Sequence, residues 1–169
     1  METDWVTQEA SEFCSSVRDG THDSPKEVTE GGKNLVTSRH IKGGILDFTN
    51  SYKISTKDFN EINQRSKVDQ WDVLFSMIGT IGEVLLVKEK EPDYAIKNVG
   101  LFKCKSELDG KWLYYYLNSP LVKREILSLS RGTTQQYIPL GSLRKLSVRY
   151  PNSDLEKRKI IRFLSSIDE

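Results

Sequence analysis

Short apolar runs separated by polar residues predict short elements in the first 70 residues. Residues 7–13 have the spacing of a short helix that Thr7 would cap. Residues 34–48 place apolar side chains on both sides of Gly43-Gly44, as expected for two short strands joined by a turn. Residues 55–70 are polar and charged, so only weak helical potential is expected there.

The strongest strand signal is the sequence WDVLFSMIGTIGEVLLV, residues 71–87. Its two apolar runs, 73–78 and 84–87, are rich in β-branched residues and are bounded by Gly79 and Gly82. This pattern predicts two strands joined by a tight turn. A further strand fits residues 99–104.

The pattern then becomes helical. Apolar residues follow the i, i+1, i+4, i+5 spacing of a helix at Trp112, Leu113, Tyr116 and Leu117. Ser119-Pro120 supplies an N-cap and a first-turn proline for a second helix, which Arg131-Gly132 ends. Residues 146–150 alternate as a strand does, and Pro151 ends it.

A third helix is predicted at the end of the chain, because Ser153 and Glu156 form the S-x-x-E signature of a helix N-terminus. Its apolar stripe would either fold back on the domain or contact a partner helix, and it consists of Ile160, Phe163, Leu164 and Ile167. Strands interleaved with helices, without regular βαβ alternation, indicate an α+β fold. We expect one domain over residues 1–151, with a twisted mixed β-sheet flanked by short helices, and the start of an amphipathic helix over 152–169.

Composition limits the classes of protein to consider. A chain of 169 residues is the size of one domain, and no apolar run approaches the roughly 20 residues that span a bilayer. The N-terminus is acidic and polar where a secretory signal would be basic and apolar, so a cytoplasmic protein without membrane contact is expected. Cys14 and Cys104 lie far apart in the sequence, which favours two buried free thiols over a disulfide or a zinc site.

The distribution of charge is uneven although the net charge is +1. Residues 1–30 hold eight acidic side chains against two basic ones, and residues 121–150 hold six basic side chains against one acidic. A basic segment on a near-neutral protein can form a surface that faces phosphates, or it can be an ordinary solvated helix face.

Residues 130–146, SRGTTQQYIPLGSLRKL, are the best candidate for binding. Arginine can read guanine and glutamine can read adenine through paired hydrogen bonds, while threonine can contact phosphates or base edges. The side chains of this type are Arg131, Thr133, Thr134, Gln135 and Gln136, with Arg144 and Lys145 just beyond. In the alternative, 133–136 satisfy backbone groups in a turn, and Tyr137 and Ile138 return to the core.

Two catalytic interpretations are weaker. DGTHDSP, residues 19–25, has the residue types of a hydrolytic triad, but four residues of one turn cannot easily line up in hydrogen-bonding order, so His22 is either structural or a DNA contact. Asp93, Asp109 and Lys111 loosely fit a Mg²⁺-dependent nuclease. Asp109-Gly110 opens a helix, however, whereas the nuclease pattern needs its carboxylate and lysine on a strand.

The order of these segments resembles the specificity (S) subunit family of type I restriction-modification systems, in particular one target recognition domain. The resemblance rests on Trp5, Asp19-Gly20 with His22 and Pro25, Ser55, WDVLFSMIGTIGEVLLV, YYYLNSP, and SRGTTQQYIPLGSLRKLSVRYP leading into the last helix. Two positions depart from the family pattern: Trp71 replaces a usual glycine, and Lys157-Arg158 stand where a glutamine is common. Typical members carry two recognition domains separated by long helices.

The resemblance implies a non-catalytic domain that recognises one half of a split DNA sequence. Its partners would be double-stranded DNA, a modification subunit that methylates adenine with S-adenosylmethionine, and a restriction subunit that uses ATP and Mg²⁺. The chain itself would need no cofactor, and its last helix could contact a second copy. An inactive remnant that binds only the modification subunit is the alternative.

Contacts to DNA are not carried over from the family and are nominated from chemistry and charge alone. Phosphate contacts are assigned to Lys42, Arg131, Arg144 and Lys145, and base or sugar contacts to Arg39, His40, Gln135 and Gln136. His22, Thr133 and Thr134 complete the candidate set.

Overall fold

The computed structural model describes residues 4–168, which form eleven short strands and six α-helices. The strands are β1 (Trp5–Glu9), β2 (Ser16–Asp19), β3 (Lys33–Val36), β4 (Ile41–Lys42), β5 (Ile45–Leu46), β6 (Lys53–Ile54), β7 (Val73–Ser76), β8 (Val84–Leu86), β9 (Tyr94–Ile96), β10 (Val99–Lys103) and β11 (Ser147–Pro151). The helices are α1 (Ala10–Phe13), α2 (Thr56–Ser66), α3 (Glu107–Asn118), α4 (Pro120–Ser128), α5 (Leu140–Arg144) and α6 (Asp154–Ser165).

The strands are divided among small sheets, and the α+β class is confirmed. A four-stranded antiparallel sheet has the order β2-β10-β7-β8, and a three-stranded sheet has the order β6-β3-β9. In the three-stranded sheet β3 pairs parallel with β9 and antiparallel with β6, so this sheet is the mixed one. Two further pairs, β1-β11 and β4-β5, lie beside them.

The four-stranded sheet lies between two apolar layers, which explains the unbroken apolar run in β7. Phe75 packs with Leu113 of α3 and Leu143 of α5 on one face. Leu74 packs on the other face with Ile96 of β9. Since successive side chains of a strand point to opposite faces, a strand covered on both sides needs apolar residues at every position.

The predicted helix starts are confirmed by their caps. The Ser119 hydroxyl accepts the Val122 backbone N–H at 3.4 Å beside the first-turn proline of α4. Ser153 accepts the Glu156 backbone N–H, also at 3.4 Å, at the start of α6. None of the described helices has the length and apolar character needed to span a membrane.

The helix predicted over 7–13 is wrong for its first half. Residues Trp5–Glu9 form strand β1, and only Ala10–Phe13 is helical. β1 pairs along its whole length with β11, with Thr7 opposite Arg149. Pairing with a strand that lies 140 residues away in the sequence overrides the local helical spacing.

Trp71, where the family usually has glycine, has a backbone φ of +71°, in the left-handed region. Glycine adopts this conformation freely, whereas another residue pays about 1–2 kcal/mol. The Trp71 ring lies against Lys111, with the ammonium 5.3 Å from the ring centroid. This cation–π contact offsets part of the backbone cost.

Cys14 and Cys104 are both free, and Cys14 is buried whereas Cys104 is partly exposed. They are neighbours in space because β2 pairs with β10, with Ser16 opposite Lys103. A hydrogen bond with Cys14 and burial both raise the pKa of the Cys104 thiol. Little thiolate is therefore available for oxidation or metal binding in the native state.

Gly20 allows residues 19–24 to lie directly against the chain around β9. A Cβ added at Gly20 would stand 2.2 Å from the carbonyl oxygen of Ile96. The backbone N–H groups of Gly20 and Thr21 donate to the carbonyls of Val99 and Ile96, each at 3.0 Å. Only a residue without a side chain fits between these two backbone segments.

Gly20→Ala is expected to lower the free energy of unfolding by about 1–3 kcal/mol, the usual cost of overpacking. Gly141→Ala is a matched control, because a Cβ there meets nothing within 4 Å. Alanine at this helical position is expected to be neutral or stabilising by about 0.5–1 kcal/mol. Urea unfolding of both variants makes the comparison, and equal stabilities would contradict the close approach.

Candidate nucleic-acid interface

Four loop segments meet, together with Tyr52, at one groove, which we call the loop groove. They are the 3-10 turn Ser38–His40 with its flanks, residues 77–83 between β7 and β8, residues 97–98 between β9 and β10, and residues 131–137. The lining residues are Thr37, Ser38, Arg39, Tyr52, Ile78, Gly79, Thr80, Lys97, Asn98 and Gln135. The groove therefore exists only in the folded chain and corresponds to no contiguous motif.

A second concavity continues the loop groove towards the β4-β5 turn. It shares Thr37, Ser38, Arg39, Tyr52 and Thr80 with the first and adds His40, Ile41, Lys42, Gly43, Asp47, Asn50 and Glu83. The backbone N–H of Gly43 donates to a Glu83 carboxylate oxygen at 2.8 Å, which ties this turn to residues 77–83. The two concavities therefore adjoin each other.

The segment 131–137 is a narrow loop that the backbone holds. Arg131 and Tyr137 exchange two backbone hydrogen bonds, both 2.9 Å long. The Ile138 N–H donates to the Met77 carbonyl at 2.9 Å, which fastens the loop to the end of β7. These hydrogen bonds use backbone groups only. All seven residues from 131 to 137 are exposed, so their side chains face solvent.

The exposed side chains of this loop make it suited to contacting a ligand. Within residues 4–168 the side chains of Thr133, Thr134, Gln135 and Gln136 make no hydrogen bond. Ile138 returns to the core, whereas Tyr137 is 41% exposed. The turn is thus satisfied by its own backbone, and the polar side chains remain free to donate and accept.

Arg39 and His40 are neighbours in sequence but differ in role. The Arg39 side chain is exposed and lines the loop groove. His40 is 7% exposed, and its Nδ1 accepts the Thr37 backbone N–H at 2.8 Å. His40 thereby stabilises the turn that presents Arg39.

Lys42 lies at the far end of the groove, where it pairs loosely with Asp47 at 3.6 Å. Two hydrogen bonds from Thr49 hold the pKa of the Asp47 carboxyl below its usual value, and Lys42 adds to this effect. The Lys42 side chain is 66% exposed, so the pair leaves its ammonium accessible.

His22 stands behind the groove rather than on its lining. Its Nε2 lies 3.0 Å from an oxygen of the buried Asp19 carboxylate, and its Nδ1 lies 2.7 Å from Oδ1 of Asn98. Asp19 also accepts a hydrogen bond from Arg65 of α2. Residues 19–25 thus form a structural loop. The imidazole of His22 in this loop forms a hydrogen bond with Asn98, which lines the loop groove.

Arg144 and Lys145 are exposed but lie outside the groove lining. Arg144 ends helix α5, and its Nε donates to the Val17 carbonyl at 3.1 Å. The structure brings Arg39, Lys42 and Gln135 to the two adjoining concavities, and Arg144 and Lys145 line neither of them. Lys97, Asn98, Thr80 and Tyr52 were not predicted, and no contiguous sequence signal marks them.

The proposed nuclease residues are separated into three ion pairs. Asp93 bonds Lys33 at 2.7 Å, Asp109 bonds Lys157 at 2.9 Å, and Lys111 bonds Glu107 at 2.5 Å. Over residues 4–168 there is no group of three or more histidine, cysteine or carboxylate side chains that could hold a metal ion. Nothing in the arrangement supports the nuclease interpretation.

Helix α6 packs on the domain with one face and leaves another open. Ile161 is buried, and so is Lys157, whose Nζ bonds Asp109 and lies 5.0 Å from the ring centroid of Tyr150. Lys157, at a departure from the family pattern, therefore anchors the helix. In the predicted stripe, Phe163 and Ile167 are 66% and 65% exposed.

The half-buried Leu164 connects this stripe to an aromatic concavity. The concavity is lined by Trp5, Trp112, Tyr115, Tyr116, Ser119 and Arg149 together with Leu164. Clustered aromatic and aliphatic side chains on a surface are typical of a protein contact.

An α+β frame that presents a groove made of loops, together with an amphipathic helix that leaves apolar side chains exposed, defines a class of binding domain. The sequence matches the family described as type I restriction modification DNA specificity domain over residues 2–169, and the chain belongs to that family.

Two curated relatives are specificity subunits. The type I restriction enzyme EcoBI specificity subunit of Escherichia coli is 24% identical over 145 residues, covering 82% of this chain and 29% of the relative. The MjaVIII specificity subunit of Methanocaldococcus jannaschii is 26% identical over 172 residues, covering 98% and 40%. The chain spans two fifths or less of these relatives.

The fold matches that of a solved specificity subunit. The S subunit of a type I restriction-modification system from M. genitalium superimposes with a TM-score of 0.66 at 19% identity, over 98% of this chain and 39% of that one. At this identity the likeness concerns the fold, and it confirms the target-recognition-type architecture.

Proposed function

We propose that the chain recognises one half of a split sequence in double-stranded DNA and supplies specificity to a type I restriction-modification complex. The observation that carries the proposal is the loop groove, where Arg39, Gln135 and Asn98 from three separate segments line one surface. These are the side-chain types that read base edges through hydrogen bonds. Family membership supports this interpretation.

The groove can divide its contacts between phosphates and bases. We assign the exposed Lys42 and Arg131 to phosphates, and Arg39, Gln135 and Asn98 to bases. A loop held by its own backbone loses little conformational entropy when its side chains bind. Arg144 and Lys145 are assigned to phosphates beyond the groove.

Catalysis is assigned to partner subunits, which this chain would direct to the split target site. A modification subunit would supply S-adenosylmethionine-dependent methylation, and a restriction subunit would supply ATP- and Mg²⁺-dependent cleavage, with the whole complex in the cytoplasm. Residues 152–169 are proposed as the contact with a partner helix, either in such a subunit or in a second copy. The exposed face of α6 supports this contact.

Arg131→Ala and Gln135→Ala are each expected to weaken cognate binding by about 1–3 kcal/mol, the usual value of one paired contact. The chain, together with its modification subunit, is first used to select its target from random duplexes, and titration of that duplex then gives the affinity of each variant. Lys57→Ala, which removes an exposed base at the start of α2, outside both the groove lining and the proposed partner contact, is the matched control and should bind as the wild type does.

Selection of no motif by the wild-type complex would contradict the proposed function. Unchanged affinity of both variants would instead remove the assignment of 131–137 as the reading loop. Methylome sequencing of a host that carries the chain with its modification subunit gives an independent readout, because a methylated split motif is the expected product.

A further inference from the structure

Asp19, His22 and Asn98 form a hydrogen-bonded chain that reaches from the interior to the loop groove. The Asp19 side chain is 7% exposed, and its Oδ2 lies 3.0 Å from Nε2 of His22. On the other side of the ring, Nδ1 lies 2.7 Å from Oδ1 of Asn98. Asn98 also lines the groove, so the imidazole joins a buried carboxylate to a candidate DNA contact.

Asn98 is held in place by its backbone. Its φ of +52° lies in the left-handed region, which asparagine tolerates better than most residues. Its N–H donates to the Thr21 carbonyl at 3.1 Å, and its carbonyl accepts the Ser38 hydroxyl at 3.3 Å. With the backbone fixed from two sides, rotation of the amide is the main freedom left to this side chain.

The two ends of the Asn98 amide differ in chemistry, because Oδ1 accepts and the Nδ2 group donates. A protonated imidazole at His22 would donate from both nitrogens, to Asp19 and to Oδ1, which are the oxygens that lie 3.0 and 2.7 Å from them. Nδ2 of Asn98 has no partner within residues 4–168 and is left for a ligand. A neutral His22 that donates through Nε2 can only accept at Nδ1, and it would then bond Nδ2 and leave Oδ1 for the ligand.

We propose that His22 is a positioning residue whose protonation selects which end of the Asn98 amide faces DNA, and so changes base preference at one position of the target. The inference rests on the proposed function, because it assumes that the loop groove reads bases. With His22 protonated, Asn98 donates and favours a base acceptor such as those of guanine. With His22 neutral, Asn98 accepts and favours a base donor such as the amino group of cytosine or adenine.

The charged groups around the ring come from three elements. Asp19 lies on β2, and it is bonded by Arg65 of α2. Lys97, next to Asn98, turns its ammonium to the Ser24 hydroxyl, and Asp23 follows His22 in the chain. The single direct ion contact of the ring among described residues is the one with Asp19.

The test selects targets from random duplexes with the wild-type complex of chain and modification subunit at about pH 5.5 and about pH 8, a range in which histidine generally changes charge. One target position is expected to change its base preference by roughly three- to tenfold, the value of one hydrogen bond, while all other positions stay the same. Asn98→Ala is expected to lose preference at that same position. The unchanged positions are the internal control.

Two variants separate positioning from folding. His22→Ala frees the amide and should remove the pH dependence. His22→Gln can donate or accept without titrating, so it should bind with the affinity of the wild type but without the pH dependence. Thermal unfolding identifies any variant that fails to fold.

The outcomes separate this inference from the proposed function. A wild-type motif that is identical at both pH values and also identical in His22→Ala would overturn the inference and leave the proposed function standing. Selection of no motif at either pH would overturn both.

Discussion

Lys103→Met is expected to lower the free energy of unfolding by about 3–5 kcal/mol at neutral pH, because it leaves a buried carboxylate without its cation. The Asp72 side chain is 2% exposed and accepts Nζ of Lys103 at 2.5 Å. It also accepts the backbone N–H groups of Asp69, at 2.7 Å, and Cys104, at 3.2 Å. Methionine keeps the apolar volume of the stem but supplies no charge. Urea unfolding measures the loss.

Acidification should reduce this loss. Burial raises the pKa of Asp72, and the hydrogen bond from Lys103 opposes that rise. A carboxyl whose folded pKa is raised contributes stability below the unfolded pKa and loses it as the pH rises through the folded pKa. Without Lys103 the pKa rises further, so the difference between variant and wild type should shrink as the pH falls towards the ordinary range of a carboxyl.

Lys67→Met is the matched control for this prediction. Lys67 pairs with Asp69 at 2.9 Å, but its side chain is 67% exposed, so its removal should cost less than about 1 kcal/mol. Adding Asp72→Asn to Lys103→Met should recover part of the loss, because the unpaired charge is then absent. A free energy of unfolding of Lys103→Met within about 0.5 kcal/mol of the wild-type value would contradict a stabilising role of the Asp72–Lys103 pair.

The Asp72–Lys103 ion pair and the loop groove lie at opposite ends of strands β7 and β10. Asp72 precedes β7, and Lys103 ends β10. Residues 77–83 and 97–98 leave these two antiparallel strands at their opposite ends and enter the loop groove. Asp72 therefore stabilises one end of the sheet, and the other ends of strands β7 and β10 lead into the loop groove.

Local sequence patterns were sufficient for the central frame. The apolar runs of β7 and β8 and the serine caps of α4 and α6 identified these elements, because each signal depends on residues that are close in the chain. β1 was assigned wrongly because its strand conformation comes from pairing with β11. The three-residue β9 and the five-residue α5 are too short to show a period.

The loop groove could be predicted only in part for the same reason. Arg39 and Gln135 were nominated by chemistry, but their proximity depends on how β7 and β9 end. Because β9 was not predicted, the adjoining Lys97-Asn98 segment could not be identified as a loop. Charge alone does not identify the groove, because Arg131, Arg144 and Lys145 share a basic segment and all three lie outside the groove lining.

The partner contact of α6 depends on two exposed apolar side chains. Phe163 lies in the last turn of α6 and Ile167 lies two residues beyond its end, and both expose about two thirds of their surfaces. Large apolar side chains at the centre of an interface commonly contribute at least about 2 kcal/mol each. Their burial against a partner helix would explain why an apolar stripe faces outward here.

The double variant Phe163→Asp/Ile167→Asp is therefore expected to weaken assembly by at least about 4 kcal/mol, roughly a thousandfold, because both changes place a charge in an apolar contact. Leu121→Asp is the matched control, since Leu121 lies on α4, outside residues 152–169, and is 73% exposed. Sedimentation velocity of the chain, alone and with the modification subunit, measures assembly. Unfolding free energies of both variants should stay within about 0.5 kcal/mol of the wild type, because the replaced side chains are exposed. A wild-type chain that remains monomeric in both conditions, or a double variant that assembles as the wild type does, would rule out this face of α6 as the contact.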